Sequence, residues 1–356
     1  MNAPVDDWMQ ALLAAQTPIV EAIRTLDRAS VQICLVVDES RRLLGTVTDG
    51  DIRRGILRNV PLEAPVETVM NRTPKVGQPG EGRDATISTM TALRIHQLPL
   101  VDNDGRVIGL QTLETLVGAG RPRPNWVVLM AGGEGRRLRP LTDEIPKPLL
   151  RVGGIPILEV ILRGFLKHHF GRFYISVNYH ADKIRNHFGD GHAWNADIRY
   201  LEESQPLGTA GPLSLIDEAP AAPIVVMNGD LMTTVNLDQL IDYHTEQGAA
   251  ATMAVREYDI KVPYGVVTMD GNRITGIEEK PVHRFFVNAG VYVLEPEALS
   301  LVPHDQFFDM PDLFRRLIES GHGTTAFPVR EYWLDIGQKD DFHRAGREFS
   351  RVFDGK

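Results

Sequence analysis

The sequence predicts an α/β domain that follows a smaller α+β module built from an internal repeat. Apolar strands and amphipathic helices alternate from about residue 126, and a strand-rich stretch begins near residue 251. Two similar segments of chain also precede residue 118. Alternating strands and helices are typical of a sheet that binds its ligands at the carboxyl ends of its strands.

The composition is that of a globular protein with room for two domains, each with its own core. Of 356 residues, 43% are apolar and 24% are charged. The net charge of −9 offers nucleic acid no attraction, so we expect no nucleic-acid partner. Cys34 is the only cysteine, which excludes an intrachain disulfide and a cysteine-based zinc site.

The beginning of the chain does not look like a targeting segment. Residues 1–10 lack the basic start and the long apolar core of a signal peptide. No apolar run approaches the ~20 residues that a membrane helix needs. We therefore expect a cytoplasmic protein with no membrane partner.

The internal repeat is clearest in two segments, L-V-V-D-E-S-R-R-L-L-G-T-V-T-D (35–49) and P-L-V-D-N-D-G-R-V-I-G-L-Q-T-L (99–113). Gly109 follows Gly45 by 64 residues, and the other matches keep that offset. Each copy predicts helix, strand, polar turn, strand and helix. Because a unit of this size rarely buries its apolar face alone, the copies should pack together. We assign residues 1–118 to this module, with copies of about 1–70 and 71–118.

The repeated pair resembles tandem cystathionine-β-synthase-type (CBS) modules. The pattern that contacts ribose in that family, G-x-h-T-x-x-D, is complete in the first copy as Gly45, Thr48 and Asp51. In the second copy Thr112 is present, but Thr115 replaces the aspartate. The resemblance implies an adenine nucleotide in the cleft between the copies, with one site better supported than two. The alternative is a pair that serves only dimerisation or packing.

A linker should separate the module from the second domain. The segment V-G-A-G-R-P-R-P-N-W (117–126) is rich in glycine and proline, which is typical of a semi-rigid connection. We place the linker at 119–125 and the second domain at 126–356. Its main predicted elements are strands at 126–130, 173–177 and 223–227 and helices at 156–170, 182–188, 237–247, 311–320 and 340–349.

The second domain opens on V-V-L-M-A-G-G-E-G-R-R-L-R-P-L-T (127–142), followed by P-K-P-L (146–149). Glycines let backbone N–H groups approach a ligand and form an anion-binding concavity. The segment is not a P-loop, because no Lys-Ser or Lys-Thr follows the glycines, and it lacks the third glycine of a dinucleotide fingerprint. The phosphate-binding candidates are the small residues Ala131, Gly132, Gly133 and Gly135 and the basic residues Arg136, Arg137, Arg139 and Lys147.

Together these segments resemble the signature of sugar-1-phosphate nucleotidyltransferases. The resemblance implies a Rossmann-like mixed sheet and transfer of a nucleotidyl group from a nucleoside triphosphate (NTP) to a hexose-1-phosphate. One position departs from the family pattern, since Arg136 stands where the family usually keeps Thr or Ser.

The resemblance also implies the roles of residues further along the chain. Asp230 follows the apolar strand 223–227, where a ligand-facing carboxylate is expected, and with Asp335 it would bind Mg²⁺. Arg137, Lys147, Asp230 and Lys280 would be catalytic. The nucleotide would also contact Gln205, Gly208 and Thr209, and the sugar phosphate would contact Gly265, Glu279, Lys280 and Asn288.

The order of CBS pair and transferase domain resembles glucosamine-1-phosphate guanylyltransferases, which favours GTP and glucosamine-1-phosphate as substrates. The open alternatives are mannose-1-phosphate guanylyltransferase and glucose-1-phosphate thymidylyltransferase. An alternative of another class is a non-catalytic nucleotide-sensing subunit. We expect a homo-oligomer.

Overall fold

The computed structural model describes residues 8–28, 32–79, 81–117 and 122–353. The chain separates into two compact units, Met1–Arg121 and Pro122–Lys356. Part of the predicted linker falls on residues 118–121, which lie outside the described residues. Among the residues that are described, no helix is both long and apolar enough to cross a membrane.

The amino-terminal unit contains two copies of the same strand–turn–strand–helix arrangement. Its elements are β1 (Leu12–Ala14), α1 (Ile19–Arg28), β2 (Ile33–Val37), β3 (Leu43–Thr48), α2 (Asp49–Leu57), α3 (Arg83–Ala92), β4 (Gln97–Val101), β5 (Val107–Thr112) and α4 (Leu113–Val117). Strands β2 and β3 pair antiparallel, as do β4 and β5.

The repeat predicted from the sequence is confirmed down to single hydrogen bonds. Asp38 Oδ1 accepts backbone N–H bonds from Ser40 and Arg42, both at 2.8 Å. Asp102, 64 residues later, accepts the equivalent bonds from the second and fourth residues after it, at 2.9 and 2.8 Å. The copies also pack together, because the N–H of Leu43 donates to the carbonyl of Gly105 at 3.0 Å.

The carboxy-terminal unit is built on a seven-stranded main sheet, with smaller two-stranded sheets beside it. The strands of the whole unit are β6 (Arg123–Met130), β7 (Arg151–Val152), β8 (Ile155–Pro156), β9 (Phe170–Val177), β10 (Asp197–Glu202), β11 (Ile224–Asn228), β12 (Leu231–Thr233), β13 (Ala251–Lys261), β14 (Gly265–Asp270), β15 (Arg273–Glu279), β16 (Val282–Leu294), β17 (Thr324–Pro328) and β18 (Trp333–Asp335). Its helices are α5 (Ile157–Lys167), α6 (Ala181–Phe188), α7 (Leu237–Gln247), α8 (Met310–Glu319) and α9 (Lys339–Phe353).

The order of the main sheet is β10-β9-β6-β11-β16-β13-β17. Strands β10, β9, β6 and β11 are parallel, whereas β16 runs antiparallel to both β11 and β13. The apolar β11 therefore has one parallel and one antiparallel neighbour, so the sheet is mixed, as predicted. After β6 the chain builds β9 and β10 on one side and then returns to β11 on the other. Such a switch point opens a crevice at the carboxyl ends of the strands.

Strand β6 is buried on both faces, which explains its apolar sequence. Val127 and Leu129 belong to the core on one side of the sheet, and Trp126 and Val128 to the core on the other. This alternation follows from the two-residue period of a strand.

Two predicted boundaries in this unit need correction. Strand β6 begins at Arg123, so residues 123–125 belong to it and not to the linker. The N–H of Arg123 donates to the carbonyl of His169, and the Asn125 side chain donates to the carbonyl of Pro223. Helix α5 ends at Lys167 because Phe170, predicted to be helical, pairs with Arg123 at the start of β9.

Candidate active site

The glycine-rich loop follows β6 at the carboxyl edge of the main sheet. It turns at Gly135, whose φ of +63° lies in the left-handed region that favours glycine. A Cβ there would also lie 2.9 Å from the Thr142 methyl group and 3.0 Å from Lys147 Cβ. The Thr142 hydroxyl donates to the Gly135 carbonyl at 2.9 Å. The loop is thereby held against the Pro-Lys-Pro turn that carries Lys147.

Lys147 connects the two motifs on either side of the crevice. Its side chain is largely buried, and its ammonium group forms an ion pair with Asp230, the second residue after β11. The N–H of Gly229, just before Asp230, donates to the carbonyl of Met130 at 2.8 Å. The ends of β6 and β11 therefore lie side by side, as expected for neighbouring parallel strands.

Asp335 reaches the same place through a small separate sheet. Strand β12, which begins directly after Asp230, pairs antiparallel with β18 and sets Leu231 opposite Asp335. The carbonyl of Asp230 accepts a 3.1 Å hydrogen bond from the N–H of Ile336. The structure thus brings together the two carboxylates that the sequence predicts as metal ligands.

The pKa of Asp335 depends on burial and on the charged groups around the two carboxylates. Partial burial raises the pKa of Asp335, and the nearby Asp230 carboxylate raises that pKa further. Lys147 and Arg137 lower it. The Arg137 guanidinium lies against Gly337, where a Cβ would be 3.5 Å from both terminal nitrogens. Two cations and two carboxylates therefore converge beside the glycine-rich loop.

Arg136, which departs from the family pattern, does not join this group. Its guanidinium donates two hydrogen bonds to the Glu134 carboxylate, at 2.6 and 2.8 Å, and its side chain is 74% exposed. The bonds from Arg136 lower the pKa of Glu134. Arg136 thus points into solvent. Gly133 is also exposed, and a Cβ added there would meet no other atom within 4 Å.

Glu203 is a candidate site residue that the sequence reasoning missed. Its carboxylate lies so close to the Cα of Gly132 that a side chain at Gly132 would collide with it. The carboxylate accepts hydrogen bonds from the Ser176 hydroxyl and, at 2.9 Å, from the N–H of Leu207. Burial raises the pKa of Glu203, and these hydrogen bonds lower it. Its signal in the sequence was a carboxylate directly after β10, three residues before the P-L-G-T-A-G segment begins at Pro206.

That segment, which contains Gly208 and Thr209, is anchored to the start of α8. The N–H and hydroxyl of Thr209 donate to Asp309 Oδ1 at 2.8 and 2.9 Å, and the hydroxyl accepts from the N–H of Met310. Gly208 has a φ of +81°. The Thr209 hydroxyl thus holds the loop in place, while the predicted nucleotide contact Gln205 is exposed.

The predicted sugar-phosphate residues lie on the strand-rich part of the unit. Gly265 and Glu279 face each other across β14 and β15, and Lys280 follows with a φ of +50°. Glu279 and Lys280 are exposed, and within the described residues neither forms a hydrogen bond or ion pair with the Lys147–Asp230 pair. Asn288, on β16, donates to the Tyr292 hydroxyl at 2.7 Å.

The predicted CBS residues form helix caps in the amino-terminal unit. Thr48 and Asp51 make a reciprocal capping box at the start of α2. Asp51 accepts two hydrogen bonds from Thr48 and one from Arg54. In the second copy, the Thr112 and Thr115 hydroxyls bond to each other at 2.9 Å.

The described residues contain no group of three or more His, Cys, Asp or Glu side chains that could hold a metal ion. A metal at Asp230 and Asp335 would therefore take its remaining ligands from substrate or water. This arrangement is the usual one for Mg²⁺, which is commonly bound by one or two carboxylates together with substrate phosphates.

Comparison with known proteins finds a family model in each unit. Residues 11–58, which lie within the first copy of the repeat, match the CBS domain model. Against curated proteins, the chain is 32% identical over 240 residues to a UTP–glucose-1-phosphate uridylyltransferase of Synechocystis sp., covering 62% of each chain. It is also 32% identical over 224 residues to a mannose-1-phosphate guanyltransferase of Debaryomyces hansenii, covering 60% of this chain and 62% of that one. The chain thus spans 62% of the length of these relatives.

A solved structure shares the fold of the carboxy-terminal unit. A candidate glucose-1-phosphate thymidylyltransferase from Bacillus anthracis, in complex with sucrose, aligns with a TM-score of 0.53 at 23% identity. The alignment covers 65% of this chain and 97% of that one. Residues 126–351 match the model described as nucleotidyl transferase, so the chain belongs to the nucleotidyl transferase family.

Proposed function

We propose that this protein transfers a nucleotidyl group from an NTP to a hexose-1-phosphate and releases pyrophosphate. The observation that carries the proposal is the convergence of Arg137, Lys147, Asp230 and Asp335 beside the glycine-rich loop. The similar proteins named as sugar-1-phosphate uridylyl- and guanyltransferases support the same class of reaction.

The residues present suit this chemistry. A phosphate oxygen of the sugar-1-phosphate attacks the α-phosphorus in line, and the bond from that phosphorus to pyrophosphate breaks. Transfer of this kind depends mainly on positioning and on neutralising charge. Lys147, held by Asp230, would neutralise charge at the α-phosphate, and Arg137 would hold the leaving pyrophosphate. The backbone N–H groups of Gly132 and Gly133 would contact the phosphates.

Mg²⁺ fits the two carboxylates. Asp230 and Asp335 are close enough for their repulsion to raise the pKa of Asp335, and a divalent cation between them would relieve that repulsion. Both would bind the ion through oxygen, the ligand atom that Mg²⁺ prefers. When bound, the ion would neutralise charge on the triphosphate.

For the substrates we propose GTP and glucosamine-1-phosphate, on the domain order of a CBS pair followed by a transferase. GTP with mannose-1-phosphate and deoxythymidine triphosphate (dTTP) with glucose-1-phosphate are the alternatives. A non-catalytic nucleotide sensor is the alternative of another class. It would have no need to keep Arg137, Lys147, Asp230 and Asp335 together, and the chain keeps all four.

A panel of substrates tests the proposed reaction. Purified protein would be incubated with Mg²⁺ and each combination of GTP, UTP, dTTP, CTP or ATP with glucosamine-, mannose- or glucose-1-phosphate. We expect pyrophosphate release to be fastest with GTP and glucosamine-1-phosphate, and abolished by a chelator. Absence of turnover with every pair would contradict the enzymatic function, whereas a different preferred pair would contradict only the proposed substrates.

Replacing Asp230 tests the centre of the site. In Asp230→Asn the loss of one carboxylate charge leaves Lys147 without its ion-pair partner and weakens the metal site. We expect kcat to fall by ~10²–10³. The control is Asp217→Asn, which removes one carboxylate charge at an exposed position and should keep wild-type kcat. Full activity of Asp230→Asn would remove Asp230 from the mechanism.

The raised pKa of Asp335 predicts a pH-dependent loss of stability in the metal-free protein. Ionisation of this group costs folding free energy as pH rises from its usual value of 3.8 through its raised value. Above that range the cost is fully present, and below the usual value it is absent. Asp335→Asn should therefore unfold at a higher temperature than wild type at pH 7, with a difference that shrinks towards pH 3.

Thermal unfolding with and without Mg²⁺ completes this test, again with Asp217→Asn as the control. Mg²⁺ should stabilise the wild type and the control more than Asp335→Asn. Equal stabilisation of all three proteins would exclude Asp335 as a metal ligand.

For the amino-terminal unit we propose one adenine nucleotide, bound at Thr48 and Asp51 with Thr112 at the other copy. The pattern that is complete in the first copy, Gly45, Thr48 and Asp51, supports a ribose contact there. The second copy offers only the paired hydroxyls of Thr112 and Thr115.

Calorimetric titration with AMP, ADP, ATP and S-adenosylmethionine tests this assignment. We expect one of them to bind at one molecule per chain and to bind Asp51→Asn at least tenfold more weakly. Thr115→Asp, which completes the pattern of the second copy, should add a second binding event. If none of the four ligands binds, the pair serves for packing or dimerisation.

A further inference from the structure

A polar atom without a partner lies at the carboxyl end of β11, where the crevice of the candidate site opens. The side-chain oxygen of Asn228, Oδ1, is buried and has no hydrogen-bond partner among the described residues. The residue as a whole is partly exposed, and it is the last residue of β11, two positions before Asp230. A buried acceptor without a donor costs stability, so its presence in a folded protein requires an explanation.

The Asn228 carboxamide lies against the backbone of the neighbouring strand β16. A Cβ at Gly290 would be 2.8 Å from Asn228 Nδ2 and 3.2 Å from Asn228 Cγ, so a side chain at this position would collide with the amide. Gly290 also has a φ of +71°, in the left-handed region that favours glycine. The glycine therefore leaves the space that the Asn228 carboxamide occupies.

The nearby amide of Asn288, a predicted sugar-phosphate contact, is already used within the protein. Its Nδ2 donates to the Tyr292 hydroxyl at 2.7 Å, and its Oδ1 accepts from the N–H of Gly290 at 2.9 Å. Of the two amides beside Gly290, the one whose oxygen has no partner in the described part of the chain is therefore Asn228. The sequence reasoning did not name this residue.

Asn228 lies between the phosphate side and the sugar side of the candidate site. Its backbone pairs with that of Met130, the residue directly before the glycine-rich loop. Asp230, two residues later, forms the ion pair with Lys147. A hexose-1-phosphate that reaches from Lys147 towards Asn288 therefore has its ring beside Asn228.

The chemistry of the unpaired atom identifies the matching part of this substrate. An amide oxygen accepts hydrogen bonds, so the group that satisfies it must be a donor. Ring hydroxyls and a protonated amino group donate, whereas ionised phosphate oxygens only accept. The sugar, and not its phosphate, is thus the part that suits Asn228 Oδ1.

We propose that Asn228 is a sugar-binding residue, whose carboxamide oxygen accepts a hydrogen bond from a hydroxyl or amino group on the hexose ring of the acceptor substrate. The inference rests on the proposed function, because it requires a hexose-1-phosphate in the crevice. In the free protein the oxygen lacks a donor, and binding of the sugar supplies one. The stability lost in the free protein thereby becomes selectivity for the sugar.

The substitution Asn228→Leu tests the proposal in steady-state kinetics, with the NTP and sugar-phosphate pair that gives the fastest turnover. Leucine keeps the branched shape of asparagine and replaces both polar ends with methyl groups. We expect the KM for the sugar phosphate to rise ~10-fold or more, because a hydrogen bond to the ring is lost. The KM for the NTP should change by less than about twofold. The control Asn186→Leu, at an exposed position on α6, should keep both wild-type values.

A set of deoxy-sugar phosphates locates the contact on the ring. For the wild type, removal of the hydroxyl or amino group that Asn228 binds should raise KM about as much as the substitution does. In Asn228→Leu the same removal should raise KM no further, because the bond is already absent. Asn228→Ala, which needs no extra space, replaces Asn228→Leu in both experiments if leucine prevents folding.

An unchanged KM for the sugar phosphate in the folded Asn228 variants overturns the proposal, and so does a rise confined to the KM for the NTP. Independent, additive losses for every deoxy sugar also overturn it, since no ring group would then depend on Asn228. These outcomes contradict the inference alone. Absence of turnover by the wild type with every substrate pair contradicts the proposed function, and the inference with it.

Discussion

The ion pair between Lys147 and Asp230 is the interaction on which the candidate site depends. It joins the Pro-Lys-Pro turn after the glycine-rich loop to the end of β11, across the crevice where the order of strands reverses. Because Lys147 is largely buried, its charge requires a partner, and Asp230 is held in place by the backbone contacts of its neighbour Gly229 and of Ile336. Loop, strand end and small sheet therefore position one another.

The small sheet of β12 and β18 explains how a residue more than a hundred positions after Asp230 enters the same site. Pairing of Leu231 with Asp335 sets two carboxylates side by side, where the Asp230 charge raises the pKa of Asp335. Such an arrangement costs stability in the absence of a cation, and this cost is the physical argument for a metal between them. Arg137 and Lys147 offset part of it, and the same two cations are placed to meet a triphosphate.

Residues that look equivalent in the sequence pattern have different surroundings in the structure. Arg136 and Arg137 are adjacent, yet Arg136 is occupied by Glu134 at the surface and Arg137 lies against Gly337 near the carboxylates. Similarly, Thr209 belongs to a motif expected at the nucleotide, but its hydroxyl is used to hold the loop to Asp309. A motif names the segment that forms a site, whereas the direction of each side chain depends on its neighbours in space.

The sequence by itself determined the repeat, the two-unit organisation, most helices and strands, and the segments that meet at the carboxyl edge of the sheet. Those properties follow from local patterns: periodicity, glycine and proline positions, and motif spacing. Only the tertiary structure decided the start of β6, the antiparallel neighbour of β11, the position of Glu203 beside Gly132, and the exposure of residues 256–288. Each of these depends on contacts between residues far apart in the chain. Strand pairing, close approach of backbone to a side chain, and the presence or absence of a covering surface leave little trace in a local pattern.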